Sequence, residues 1–189
     1  RTRAEWEGRL SGRLETVTKG IEGAGARWSS WAMDLTDHGA VAATADATLD
    51  AFGRGDLLCN IGIYQGPGSG LFRETSVDEF RKHFDADVLA PAILLQKLLP
   101  VMLEQEGGVV VNMSSFVVFN DPPGTADANG WAVGYAAAKA GIDRFAGALS
   151  PECGERGTHA DTRDAGAGAA GAHGPHTADR APGLQGAAT

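Results

Sequence analysis

The sequence contains few of the residues that would point to a disulfide-stabilised, nucleic-acid-binding or membrane-spanning protein. Its 189 residues include two cysteines, Cys59 and Cys153, which excludes a disulfide framework. Cys59 lies in an apparent core strand, and we expect it to be a small buried hydrophobe. Lysine and arginine total 16 against 24 acidic residues, and we expect no nucleic-acid partner because such binding requires a basic patch. The longest apolar run, 88–103, contains Gln96 and Lys97 and is too short and too polar for a membrane span. No signal-peptide pattern opens the sequence, and we predict a cytoplasmic protein without a membrane partner.

Helical patterns alternate with short apolar strands along most of the chain. We predict an opening helix over 2–21, a helix from the N-cap Asp37 to about Phe52, and a long helix from Ser76 to about Glu104. A fourth helix carries Tyr135 and ends near residue 149. Between these helices the sequence predicts strands at 28–33, 56–60 and 109–113. This alternation favours an α/β fold with a doubly wound, Rossmann-like parallel sheet flanked by helices.

Three polar residues in the second half of the chain suggest acid–base chemistry. Tyr135 and Lys139 are four residues apart in a small-residue helix, so both side chains lie on one face, one turn apart. An ammonium beside a phenol favours the phenolate, and such a tyrosine can act as a general acid or base. Ser115 follows an apparently buried strand, at the end of the sheet where open α/β folds bind ligands.

Several segments, in this order, resemble the short-chain dehydrogenase/reductase family. Besides Ser115, Tyr135 and Lys139, the matching segments are Asp34-Leu35-Thr36-Asp37, 52–62 with Asn60 and Gly62, and 84–91 with Asp87. The resemblance covers about residues 3–157. It implies an NAD- or NADP-dependent oxidoreductase that transfers a hydride between its cofactor and a ketone or secondary alcohol.

The resemblance assigns roles to four candidate catalytic residues. Tyr135 is the acid/base, Lys139 lowers the tyrosine pKa and hydrogen-bonds the nicotinamide ribose, and Ser115 holds the substrate oxygen. Ser114 is the alternative to Ser115, which we prefer because the family's serine is the second of such a pair. Asp87 stands where the family usually has an asparagine that supports a water path to the lysine, largely through its backbone carbonyl and a helix irregularity. The alternatives are a core tyrosine, an exposed lysine, a strand-end cap and a solvated helix aspartate.

The same resemblance predicts the cofactor-binding residues. Asp34, followed by Leu35, would accept a hydrogen bond from the adenine amino group, although it could instead be a capping residue. Asn60 and Gly62 resemble the end of the family's Asn-Asn-Ala-Gly strand, and Gly62 would allow close approach of the backbone to the cofactor. Tyr135 and Lys139 complete the set. The sequence does not decide between NAD and NADP.

Both ends of the sequence differ from the family pattern. No glycine-rich turn precedes the opening helix, and we interpret the glycine-rich stretch 62–70 as a substrate-side loop. We therefore predict that residues 1–157 form a partial domain that lacks the first βαβ unit. After Gly154 the only large apolar residue is Leu184, which predicts a disordered, low-complexity tail over 158–189, of natural or frame-shifted origin.

Two functions remain at this stage. The first is the oxidoreductase, acting on a small-molecule carbonyl or alcohol and assembling as a homo-oligomer through its long helices. The second is a non-catalytic fragment without competent cofactor binding, which serves at most as an assembly partner. We predict no metal site, because the histidines of the tail have only glycine and alanine around them.

Overall fold

The computed structural model describes residues 21, 25, 27–66, 70–153 and 157–164. Its regular elements follow one another in this order: α1 (His38–Phe52), β1 (Leu57–Asn60), α2 (Val77–Phe84), α3 (Ala90–Glu104), β2 (Gly108–Ser114), α4 (Val133–Cys153) and β3 (Thr158–Asp164). A π-helical turn, Asp85–Leu89, joins α2 to α3 without a break, and short 3₁₀ turns lie at Phe72–Glu74 and Phe116–Val118. Apart from Ile21, the predicted opening helix lies outside the described residues.

The three strands form one parallel sheet in the order β1-β2-β3. Leu58 of β1 pairs with Val110 of β2, and Val110 pairs with Ala160 of β3. Each crossover contains a helix, as parallel neighbours require. The parallel α/β sheet flanked by helices agrees with the prediction.

The core lies on one face of this sheet. Val110 projects from β2 into a cluster with Leu95, Leu98 and Met102 of α3. Phe145 and Leu149 of α4 pack against the same cluster. A Cβ at Gly108 would lie 2.7 Å from the Met102 side chain, so the glycine allows α3 to approach the start of β2 closely. Both long helices are therefore fixed to the strand that ends at the two serines.

Helix starts follow the predicted caps. The Asp37 carboxylate accepts a hydrogen bond from the Ala40 backbone N–H at 3.0 Å, and the Ser76 hydroxyl accepts from that of Glu79 at 3.1 Å. Each side chain satisfies a donor that the first helical turn leaves unpaired.

The continuous helix Val77–Glu104 is the one described helix that is long and apolar enough to cross a membrane by length and composition alone. This is weak evidence, since a core helix of a soluble protein passes the same test. Leu95 and Met102 from this helix are buried against the sheet.

Two secondary-structure predictions are wrong in part. Residues 28–33 form no strand, because within the described residues the sheet contains β1, β2 and β3 and none of them pairs with this segment. Residues 158–164, which we assigned to a disordered tail, form β3 and pair with β2 along its whole length. Hydrogen bonds from a neighbouring strand stabilise β3, although its own side chains are small or polar. Residues 165–189 lie outside the described residues.

Cys59 also differs from its predicted environment. The sequence places it in a core strand, as a small buried hydrophobe, but its side chain is exposed. Successive residues of a strand face opposite sides. In β1 the side chains of Leu58 and Asn60 face the helices, and those of Leu57 and Cys59 face the other side.

Candidate active site

The predicted site residues lie at the carboxyl edge of the sheet and at the start of α4. Ser114 is the last residue of β2, Asn60 is the last residue of β1, and Tyr135 and Lys139 lie in the first two turns of α4. Asp87 lies in the π-helical turn. This edge is where open α/β sheets bind their ligands.

Lys139 is buried, with 3% of its surface exposed. Its ammonium donates a hydrogen bond to the carbonyl oxygen of Met113 at 2.9 Å and lies 6.0 Å from the centroid of the Tyr135 ring. Burial lowers the pKa of Lys139, and the nearby carboxyl of Asp87 raises it in part. The alternative of an exposed helix lysine is therefore wrong. Met113 lies two residues before Ser115, so the ammonium joins α4 to the end of β2.

The two serines have different environments. Ser115 has an extended backbone, is 8% exposed, and its carbonyl oxygen accepts from the Val118 N–H at 3.0 Å at the start of the turn Phe116–Val118. This turn packs against α4. The Ser114 hydroxyl is buried without a hydrogen-bond partner in the described residues.

Asp87 is 2% exposed, which rules out the alternative of a solvated helix aspartate. One carboxylate oxygen accepts from the Tyr64 backbone N–H at 3.2 Å, and the other is buried without a partner among the described residues. Burial raises the pKa of Asp87 to about 6, while Lys139 and the Tyr64 N–H act in the opposite direction. The π-helical turn supplies the helix irregularity that the resemblance leads us to expect at this position.

Asn60 reaches across the sheet to a residue that the sequence analysis missed. Its amide nitrogen donates to the side-chain oxygen of Asn112 at 2.8 Å, and the two residues are register partners in β1 and β2. Asn112 is 1% exposed, and its own amide nitrogen is among the buried polar atoms without a partner. The sequence feature that could have identified Asn112 is its position as the one polar residue inside the apolar run 109–113.

The predicted adenine-side residues also lie close together. One oxygen of Asp34 accepts from both the backbone N–H and the hydroxyl of Thr36 at 2.8 Å, and the backbone hydrogen bond is the main reason that the pKa of Asp34 is lowered. A Cβ at Gly62 would lie 2.6 Å from a methyl carbon of Leu35. The segment after β1 therefore passes close to the Leu35 side chain, which would have to move to accommodate a larger residue at position 62.

A second cluster of interacting side chains surrounds Tyr64 and His83, and the sequence analysis did not predict it. The Tyr64 phenol donates to the Glu79 carboxylate, which also accepts from the Lys82 ammonium at 3.2 Å. The Tyr64 ring meets the His83 ring edge to face, with centroids 5.3 Å apart. His83 is 3% exposed, and burial lowers its pKa. His83 precedes Asp87 by four residues, about one helical turn, and this spacing could have indicated that His83 lies near the site.

The Lys139 ammonium could serve one end of a nicotinamide dinucleotide. It has two donors beyond its bond to Met113, and such donors suit the hydroxyls of a nicotinamide riboside. Among the residues described, no group of three or more His, Cys, Asp or Glu side chains could hold a metal ion.

The described residues do not form a glycine turn of the kind that binds the pyrophosphate of a dinucleotide. Gly62, Gly66 and Gly68 have the spacing Gly-x-x-x-Gly-x-Gly, but the described helix that follows begins at Val77, after the turn Phe72–Glu74. A pyrophosphate-binding glycine turn opens directly into a helix N-terminus. The described part of the loop after β1 therefore does not open directly into an α-helix, and its assignment to the substrate side stays a prediction.

Comparisons with known proteins identify the family and the fold of the chain. The short chain dehydrogenase family model matches residues 7–165. Human dehydrogenase/reductase SDR family member 7 is 32% identical over 120 residues, which cover 64% of this chain and 33% of the relative. The 2-dehydro-3-deoxy-L-rhamnonate dehydrogenase (NAD(+)) of Sphingomonas sp. SKA58 is 32% identical over 131 residues, 69% of this chain and 49% of the relative. A metagenomic short-chain oxidoreductase in complex with NADP is similar with a TM-score of 0.71 and 26% identity, over 82% of this chain and 66% of that one.

Since the family model matches residues 7–165 of 189, the chain belongs to the short-chain dehydrogenase/reductase family. The predicted family and Rossmann-like fold are confirmed. The chain spans 33% and 49% of the length of the two relatives described above.

Proposed function

We propose that the protein is an NAD- or NADP-dependent oxidoreductase that interconverts a ketone and a secondary alcohol. One observation carries the proposal: the buried ammonium of Lys139 lies 6.0 Å from the Tyr135 ring centroid and is held there by the carbonyl oxygen of Met113. This arrangement brings a phenol, a fixed positive charge and the serine-bearing end of β2 to one edge of the sheet.

Tyr135 transfers the proton. A ketone oxygen must gain a proton as its carbon is reduced, and the phenol of Tyr135 is the donor; in the reverse direction the phenolate accepts the proton from the alcohol. The buried Lys139 ammonium places a positive charge beside the ring that makes this transfer. Its two remaining donors are available to a ribose hydroxyl.

Ser115 and Asp87 position the reaction. The Ser115 hydroxyl holds the substrate oxygen beside the phenol. Asp87 is the charged group that opposes the burial effect on Lys139, and so it helps to keep that side chain an ammonium. A nicotinamide cofactor, when bound, supplies or takes up the hydride. The NAD(+) in the name of the Sphingomonas relative and the NADP in the metagenomic complex support this choice of cofactor.

The second candidate function is a non-catalytic assembly partner. It is favoured by the loop after β1, whose four glycines do not open directly into a described α-helix. This candidate predicts that calorimetry detects no micromolar binding of NADH or NADPH. Binding in that range, with one cofactor per chain, would contradict it.

The two tyrosines of the chain provide a matched test of the first candidate. Tyr135→Phe removes the proton donor and keeps the ring, so turnover of a ketone panel should fall by roughly 10²-fold or more while cofactor affinity is retained. Tyr64→Phe removes a phenol that donates to Glu79 and should retain most of the turnover. Equal turnover in the two variants would contradict the role of Tyr135.

A further inference from the structure

An exposed aromatic surface lies directly beside the proposed reaction site. We call Phe116, Phe119, Trp131 and Val133 the aromatic rim. Three of its side chains are about half exposed, Phe116 at 50%, Phe119 at 56% and Val133 at 50%. The rings of Phe116 and Trp131 meet edge to face with centroids 5.3 Å apart. Clustered apolar exposure of this kind marks binding surfaces more often than scattered single residues do.

The residues of the rim are close in sequence to the proposed catalytic residues. Phe116 follows Ser115, and Val133 precedes Tyr135 by two residues. A Cβ at Gly70 would lie 3.2 Å from that of Ala126 and 3.3 Å from that of Ala132, so the loop after β1 packs on the loop that carries the rim. A molecule whose carbonyl oxygen meets Ser115 and Tyr135 therefore has this rim beside it.

The rim is held in place before any ligand arrives. The Asn120 side chain donates to the carbonyl oxygen of Phe116 at 2.7 Å. The carbonyl oxygen of Thr125 accepts from Ala128 at 2.8 Å and from Gly130 at 2.9 Å, which closes the loop before Trp131. A preformed apolar surface loses little conformational entropy on binding.

The surroundings of the rim lack a partner for an anion. The sequence contains no lysine or arginine from residue 98 to residue 138, whereas it has four acidic residues there. In the facing segment, Arg73 pairs with Glu74 and Lys82 pairs with Glu79. Apart from Lys139, which is buried and bonded to Met113, a carboxylate or phosphate on the substrate would meet no lysine or arginine of residues 98–138, and Arg73 and Lys82 are already paired.

Given the proposed function, we propose that the substrate is an uncharged ketone, or the corresponding alcohol, with an aromatic ring beside the reacting carbon. Phe116 and Trp131 bind that ring and so determine specificity. Contact of a flat ring with both aromatic side chains buries apolar surface and allows the edge-to-face geometry that aromatic pairs prefer.

Binding tests this assignment without turnover. Saturation-transfer NMR would measure the affinity of the protein for acetophenone and for 4-acetylbenzoate, which has the same ring and an added carboxylate. We expect acetophenone to bind and 4-acetylbenzoate to bind at least roughly tenfold more weakly. Phe116→Ala should weaken acetophenone binding by roughly tenfold. Trp131→Ala should act in the same direction, and Leu57→Ala, which removes an exposed side chain of the sheet, should have no effect.

Turnover with NADH and NADPH separates this inference from the proposed function. If acetophenone binds at the rim but no ketone is turned over, the proposed function is contradicted and the binding assignment stands. If 2-butanone and acetophenone are turned over equally and Phe116→Ala affects neither, the function stands and the specificity assignment is wrong. Sedimentation of Phe116→Ala provides a third outcome: loss of an oligomer with unchanged acetophenone affinity would make the rim a protein interface and overturn the inference.

Discussion

The imidazole ring of His83 packs against the backbone of Gly134, the residue immediately before Tyr135. A Cβ at position 134 would lie 2.7 Å from Cδ2 of His83, closer than real contacts allow. His83 also meets the Tyr64 ring, while the backbone N–H of Tyr64 donates to Asp87. His83 therefore fixes the start of α4 to α2 and to the loop after β1, and through them fixes the position of Tyr135.

Gly134→Ala should destabilise the protein although it replaces glycine in a helix. The added methyl group must displace a buried imidazole ring, and overpacking of this kind costs about 1–3 kcal/mol. Gly147→Ala in the same helix is the control, because its Cβ would meet only the flexible Arg144 side chain, at 3.1 Å. That variant should be stabilised by up to about 1 kcal/mol. Urea denaturation measures both, and equal shifts would contradict the proposed contact.

The same contact shows what the sequence could and could not predict. The caps at Asp37 and Ser76 and the Tyr135/Lys139 pair depend on residues three or four positions apart, and sequence patterns report such spacings directly. The contact between His83 and Gly134 joins distant segments and has no local signature.

Strand β3 was missed for a related reason. Its stability comes from pairing with β2 and from burial of Thr158, whereas its own composition predicts no strand. Cys59 was placed in the core because the sequence indicates a core strand over 56–60. The described helices cover one face of the sheet, and the predicted helix over 2–21 lies outside the described residues apart from Ile21.

Asp87→Asn should change how stability depends on pH. The pKa of Asp87 is raised from 3.8 in the unfolded reference to about 6 in the folded protein, mainly by burial. Between these values the folded state binds the proton and the unfolded state does not, so stability falls as pH rises and is constant above about 6. Asparagine resembles the protonated form and removes this decline.

The measurement is the free energy of unfolding of both proteins in urea from pH 4 to pH 8. The free energy of unfolding of the variant, relative to that of the wild type, should increase with pH up to about pH 6 and then level off. It should remain modest at pH 7, because the variant also loses the attraction between Asp87 and Lys139. Parallel pH profiles would show that Asp87 does not titrate in this range.

Ser114→Ala and Ser115→Ala should separate a structural role from a catalytic one. The Ser114 hydroxyl is buried without a described partner, so its removal should be neutral or slightly stabilising and should leave turnover unchanged. Ser115→Ala should lower turnover of a ketone panel with little effect on NADH or NADPH affinity. If Ser114→Ala abolishes turnover while Ser115→Ala does not, the serine assignment is reversed.

The last prediction concerns the two thiols, which lie in opposite environments. Cys59 is exposed on the sheet face that the described helices leave open, and Cys153 is buried at the end of α4. Burial, with a smaller effect of Glu152, raises the pKa of Cys153, and the thiolate is the reactive form. Ellman's reagent at pH 8 should therefore label one thiol rapidly in the native protein and both thiols in urea.

Cys59→Ser should remove the rapid phase, and Cys153→Ser should retain it. Slow labelling of both thiols in the native protein would show that another part of the chain covers β1, with the predicted helix over 2–21 as the first segment to delete in a repeat of the measurement.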